Sequence, residues 1–226
     1  MTPAHYPCPL PGGGETAEYA LSFDKCRTKR VLIIPALLDE ANKLRHFSVE
    51  VMRRLDGVGI DSFLPDLPGC NESEQNLADV EPEDWATAVH AAARYFAATH
   101  VLAIRGGGLL LPPRIGGWHY APVKGATLLK TLLRARVLAS REQGREESVD
   151  GLLEHGTAHG LELAGFSLSG EALRQLGGLK PDSRHEITMI EHSTIGGEPP
   201  WLRAEPDFDA AQADGVATLV SMSLSE

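Results

Sequence analysis

Short unbroken apolar runs alternate along this chain with longer segments in which apolar residues recur every three or four positions. Val31 to Pro35 (VLIIP) and Val101 to Ile104 (VLAI) are of the first kind, the pattern of parallel strands buried on both faces. Leu44, Phe47, Val51 and Leu55 are of the second kind and predict a helix that lays one face on a sheet. Gly59 to Leu64 reads as the next strand. Pro82 to Ala98 reads as a helix with Trp85, Val89, Ala92 and Phe96 along one side, and Pro82, Glu83 and Asp84 suit its first turn. Trp118 to Val123 predicts a strand, and Gly125 to Arg141 a helix with Leu128, Leu129, Leu132, Leu133 and Val137 inward.

The remaining stretches are less patterned. Met1 to Gly14 is rich in proline and glycine and reads as a loose arm, with Tyr19 to Phe23 as an edge strand. Glu142 to Gly160 reads as a loop holding at most one short helix. Leu161 to Ala164 predicts a brief strand, Ser169 the cap of a helix through Leu176, and Glu186 to Glu191 and Pro200 to Arg203 the last strands. Strands alternating with helices imply an α/β fold, a mostly parallel sheet covered on both faces, in one domain spanning residues 1–226. Ligands of such sheets sit beyond the carboxyl ends of the strands, here the loops at Ala36 to Asn42, Asp66 to Ser73, Arg105 to Gly108, Lys124 to Gly125 and His192 to Gly197.

The centre of the pattern is His100 to Leu111. Its apolar run ends in Arg105, Gly106, Gly107 and Gly108, glycines where a strand turns sharply and leaves no room for a Cβ. The helix after this turn has to be short, since Pro112 and Pro113 interrupt it.

Composition narrows the function classes. A formal net charge of -10, from 31 acidic and 21 basic residues, disfavours a nucleic acid or an anionic membrane surface as partner. The three cysteines, Cys8, Cys26 and Cys70, are odd in number and lack a C-x-x-C pair, which disfavours a disulfide framework or structural zinc and suits a cytoplasmic protein. No apolar run approaches the roughly 20 residues of a membrane span. No cofactor motif is recognisable, because the glycine run lacks the spaced G-x-x-x-x-G-K-[ST] pattern of a phosphate cradle. A small-molecule ligand and homo-oligomerisation both remain open.

Several motifs together carry a resemblance. They are Asp39-Glu40-Ala41-Asn42-Lys43-Leu44-Arg45, Asp66-Leu67-Pro68-Gly69, the Arg-x-Gly of Arg105 and Gly107, and Pro122-Val123-Lys124-Gly125 before a Leu/Arg helix. Ala164-Gly165-Phe166 and Trp201-Leu202-Arg203-Ala204-Glu205-Pro206 complete them. From Ala20 to Asp207 the chain resembles the exosortase A system-associated hydrolases of the second type, a branch of the α/β-hydrolase superfamily. The resemblance implies an α/β-hydrolase-like fold and a bacterial setting beside exosortase, PEP-CTERM sorting and exopolysaccharide genes. It also implies that arginine at position 105 is a trait of the group. Ala103, where that group is expected to carry glycine, and the short segment after the turn depart from the pattern.

The chemistry of a hydrolase turn sharpens the reading. In G-x-S-x-G the central serine is the nucleophile, and acid and histidine follow it in chain order. The five positions here are Ala103-Ile104-Arg105-Gly106-Gly107, and the last histidine of the sequence, His192, stands where the acid is expected. Glu205, Pro206 and Asp207 follow the last predicted strand in place of a base. A guanidinium is protonated at neutral pH and cannot attack a carbonyl. Two roles stay open for Arg105: an ion pair with Asp39 or Glu40, and binding of an anionic or carbonyl-containing ligand. Gly106, Gly107, Asp39, Glu40 and Asn42 complete that candidate ligand site. Two carboxylates in this loop would oppose a developing oxyanion.

The alternative is an ester or thioester hydrolase or acyl transferase with a displaced nucleophile. Gly165-Phe166-Ser167-Leu168-Ser169-Gly170 imitates the serine turn, so Ser167 is a candidate nucleophile, with His192, His155 or His159 as candidate bases. The plainer reading makes Ser167 or Ser169 a helix cap. His155 and His159 have zinc-ligand spacing, yet Gly156 and Gly160 argue against a helix and the glutamate of H-E-x-x-H is missing.

Overall fold

The computed structural model describes residues 1–203 and 208–224. Seven strands form one sheet in the order β1-β2-β4-β3-β5-β6-β9: β1 (Thr2–Pro9), β2 (Glu15–Phe23), β3 (Arg30–Ile34), β4 (Asp61–Pro65), β5 (His100–Ile104), β6 (Gly117–Tyr120) and β9 (Ile187–Ile190). The five strands from β4 to β9 run parallel, and β2 joins β4 antiparallel. The unbroken apolar runs are explained by two-sided burial. On β3, Leu32 and Ile34 enter one core while Val31 and Ile33 enter the other, and on β5 Val101 and Ala103 oppose Leu102 and Ile104 in the same way.

Each face is closed by helices at the predicted spacing. Helix α1 (Asp39–Gly57) buries Leu44, Phe47, Val51 and Leu55 on one side of the sheet. Beside it lies α7 (Ala210–Ser223), which inserts Ala213, Val216, Ala217 and Val220. The opposite face carries α2 (Pro82–Tyr95), α3 (Gly125–Glu142), α4 (Val149–His159) and α5 (Gly170–Gly178). Among the described residues, no helix is long and apolar enough to cross a membrane.

Four expectations are corrected. The loose arm is an edge strand: β1 pairs along its whole length with β2, from Thr2↔Ser22 to Pro9↔Glu15, and buries Tyr6 and Cys8. Pro3, Pro7 and Pro9 share one parity along this strand, and an outermost strand tolerates missing N–H groups on its free side. Tyr19 to Phe23 is consequently not an edge. The charged stretch after α3 holds an 11-residue helix, α4, with the Ser148 hydroxyl accepting from the Gly151 N–H. Gly156 sits in its middle because an added Cβ would come within 2.9 Å of Leu173 Cδ1. Pro200 to Arg203 is a 3-10 turn over Pro200–Leu202 rather than a strand, since two successive prolines fix φ and remove two donors.

The fourth correction concerns the imitation serine turn. A strand does run into a helix here, but Ser167 lies within the strand, and the residue at the junction is Ser169. β7 (Leu161–Leu163) and β8 (Phe166–Leu168) form a small hairpin through Ala164 (φ 52°) and Gly165 (φ 84°), both left-handed. Ser167 is exposed on that hairpin. Ser169 caps α5, its hydroxyl accepting from the Ala172 N–H at 2.9 Å, which is the plainer expectation.

Candidate functional site

The turn after β5 is built as its sequence demands. Arg105 leaves the strand with φ 51° and opens a single 3-10 turn, Arg105–Leu109. A Cβ on Gly106 would meet Leu128 Cδ1 at 2.8 Å, one on Gly107 would meet the carbonyl oxygens of Ile34 and Pro35 at 2.5 Å, and one on Gly108 would fall 1.9 Å from the His119 ring. All three glycines are therefore forced by close approach. The His119 ring is wholly buried under the turn and its Nε2–H donates to the Arg105 carbonyl at 2.7 Å. Burial pushes its titration below the ordinary 6.5.

The Arg105 side chain folds back over the strand ends. Its Nε and Nη2 donate to the two Glu40 oxygens at 3.0 and 2.7 Å, and Nη1 donates to the Ala121 carbonyl at 3.1 Å. The guanidinium lies 4.1 Å from the centre of the Trp201 ring. Of the two partners expected for Arg105, Glu40 takes the fork, while Asp39 pairs with Lys43 at 2.8 Å. The two carboxylates expected to oppose an oxyanion are thus each neutralised by a cation.

These residues border a cavity of about 540 Å³. Asp39, Glu40 and Arg105 line it, together with Leu37, Leu38, Val123, Lys124, Leu128, Leu132, Trp201 and Leu202. The loop that brings Leu37 and Leu38 is strained, with Leu38 at φ 56° and ψ -132° immediately before α1. Gly106 and Gly107 are buried behind the wall and contribute backbone alone. Asn42 is exposed on α1 and does not line the cavity.

His192 stands just outside. The Tyr120 phenol, kept protonated by burial, shares a hydrogen bond with Nδ1 at 2.7 Å, and Nε2–H donates to the Gly197 carbonyl at 3.1 Å. Its ring packs edge-on to Trp201 at 4.9 Å. Both nitrogens are engaged, and among the described residues no serine, cysteine or histidine lines the cavity. Ser167 belongs to the separate hairpin. His155 and His159 stack at 4.7 Å on α4, correcting the expectation that glycine keeps this segment non-helical. No group of three or more potential ligands for a metal occurs among the described residues. Glu205, Pro206 and Asp207 lie outside the described residues.

Sequence reasoning placed Lys124 in one of the expected site loops without singling it out, and it missed the placement of Trp201. Lys124 carried a signal, as it stands at a carboxyl strand end. Trp201 carried none, because nothing local tells a 3-10 turn to lay an indole on a guanidinium.

No family model and no curated protein matches the chain. Solved structures do. α/β-Hydrolase domain-containing protein 10 from mouse is similar over 100% of this chain and 99% of its own, with a TM-score of 0.62 at 12% identity. A hypothetical protein from Pseudomonas aeruginosa is similar over 84% of this chain and 77% of its own, with a TM-score of 0.51 at 10% identity. A protein from Agrobacterium vitis aligns over 62% of this chain and 61% of its own, less than two thirds of its length, with a TM-score of 0.45. At these identities the likeness defines the architecture alone, and it is that of the α/β-hydrolase fold.

Proposed function

We propose that the chain is a ligand-binding protein on an α/β-hydrolase fold, with Arg105 in place of the nucleophilic serine and its cavity taking an anionic or carbonyl-containing small molecule. The resemblance to exosortase A system-associated hydrolases extends this to an accessory role beside exosortase and exopolysaccharide production in a bacterial cytoplasm. The supporting observation is the elbow itself. A cation tied to Glu40 and covered by Trp201 stands at the turn after β5, at the edge of a cavity whose lining hydroxyls, among the described residues, are those of Thr127 and Thr131. Acyl transfer on this fold needs a nucleophile within reach of a base, and no serine, cysteine or histidine stands among the described lining residues.

Intact mass after exposure to a fluorophosphonate probe tests the reading. The expected mass is that of the unmodified chain, and small carboxylates raise the unfolding temperature. A single stoichiometric adduct, lost in Ser167→Ala, would instead establish a hydrolase with a displaced nucleophile.

A further inference from the structure

The charges around the cavity do not cancel. Arg105 is matched by Glu40 and Lys43 by Asp39, which leaves Lys124, exposed and lining the cavity, with no carboxylate partner among the described residues. Counted over the described residues, the site therefore carries one uncompensated positive charge. Its position is unusual as well. Lys124 is the residue immediately preceding the 18-residue helix α3, where the helix dipole opposes a cation, and the first turn of α3 contains no acidic residue. The fork of Arg105, by contrast, is occupied, and an incoming anion would have to displace Glu40 to use it.

The rest of the wall is aliphatic. Leu37, Leu38, Val123, Leu128 and Leu132 line the same space, and its volume is that of a site for one small molecule. Resting on the binding reading above, we infer that the ligand is a monoanionic aliphatic carboxylate, with Lys124 rather than Arg105 as the residue that selects its charge. The hydrocarbon chain lies on the leucines, and the carboxylate meets the Lys124 ammonium in a charge-assisted hydrogen bond. Arg105 and Glu40 form a neutral floor that holds Trp201 in place. Among the described residues one free cation matches one negative charge, so a dianionic head such as a phosphate monoester is left half compensated.

Calorimetric titration of the whole chain with octanoate, 1-octanol and octyl phosphate at neutral pH separates the possibilities. Octanoate is expected to bind about tenfold more tightly than octanol, the gain of one charge-assisted hydrogen bond. Lys124→Met is expected to remove that tenfold preference, and Lys124→Glu to reverse it. Lys124 is exposed, so both variants retain the fold. Equal affinities for octanoate and octanol in the unaltered chain, or a preference that survives Lys124→Met, would overturn the assignment of Lys124 while leaving the binding reading intact. Tighter binding of octyl phosphate than of octanoate would overturn the monoanion. Absence of saturable binding by all three, with no stabilisation by other carboxylates, would sink the binding reading along with it.

Discussion

Replacing Arg105 by methionine keeps the length and most of the apolar volume of the side chain and deletes the charge. Three partners are stranded by this change. The Glu40 carboxylate, 13% exposed, loses both of its hydrogen bonds, the Ala121 carbonyl loses a buried donor, and the Trp201 ring loses the cation on its face. Breaking a buried ion pair from one side costs about 3–5 kcal/mol. The lower end applies here, because some water still reaches Glu40. The lost donor to Ala121 adds about 1 kcal/mol, and the methionine returns part of this through packing. The expected cost is about 3–4 kcal/mol, which for a domain of this size lowers the unfolding temperature by roughly 6–16 °C.

The same logic predicts a recovery. In Arg105→Met with Glu40→Leu no charge is stranded, and the pair of changes should lie within about 1 kcal/mol of the unaltered chain. Glu40 also stands in the first turn of α1, so about 0.5 kcal/mol of favourable dipole interaction is lost with it. The double-mutant cycle is read by urea denaturation at pH 7, with a coupling energy of at least about 2–3 kcal/mol expected, the cost of Arg105→Met less the roughly 1 kcal/mol left in the pair of changes, to which any cost of Glu40→Leu alone is added. A cost below about 1 kcal/mol for Arg105→Met, or strict additivity of the two changes, would show that the pair does not hold the elbow.

Other consequences can be checked with equally simple measurements. Gly108→Ala drives a Cβ into the buried His119 ring and should cost about 3 kcal/mol or more, whereas Gly178→Ala, with nothing within 4 Å, should leave the thermal midpoint unchanged or slightly raised. Burial pushes the Cys8 and Cys70 thiols up to about 12, and Cys26 alone is exposed, so Ellman's reagent at pH 7.5 should titrate one thiol in the folded chain and three after denaturation. Desolvation holds His119 below its ordinary 6.5, so the unfolded chain binds more protons in that window. Stability should be complete above about pH 6.5 and fall as the pH drops below it. His119→Gln should flatten the fall in part, since His90 and His100 are also held down by burial, and an unchanged slope would remove His119 from the account.

The parallel sheet was legible because a strand buried on both faces has to be apolar without a break, and VLII and VLAI are. The elbow was legible for the converse reason: three consecutive glycines after an apolar run have no use other than close approach, and each proved to have a different neighbour. Partners distant in sequence were legible only in part. Asp39 and Glu40 were equal candidates for Arg105, and the choice between them depends on where the first turn of α1 points, which no local rule fixes. The amino-terminal strand was misread because proline counts against strands in general, while an outermost strand tolerates it on its open side. Gly156 misled for a similar reason: its helix cost is real, but packing against Leu173 and Leu161 decides the position.

The distribution of backbone strain supports a functional cavity over a purely structural elbow. Among the described residues eight non-glycine positions adopt positive φ, and three of them, Leu38, Arg105 and Ala121, stand at this one site. Leu38 lines the cavity beside the Arg105 guanidinium, and Ala121 supplies the carbonyl that Arg105 binds, immediately before Pro122 in the same wall. Each such residue costs about 1 kcal/mol or more, and glycine at the same position would relieve much of the cost. An ion pair alone does not require it, since Arg105 could reach Glu40 from relaxed backbone. What the strained geometry adds is orientation: it turns the three strand ends toward a shared space and fixes the arginine at its edge. Preorganised loops of this kind suit the holding of a ligand, which is what the binding proposal requires of them.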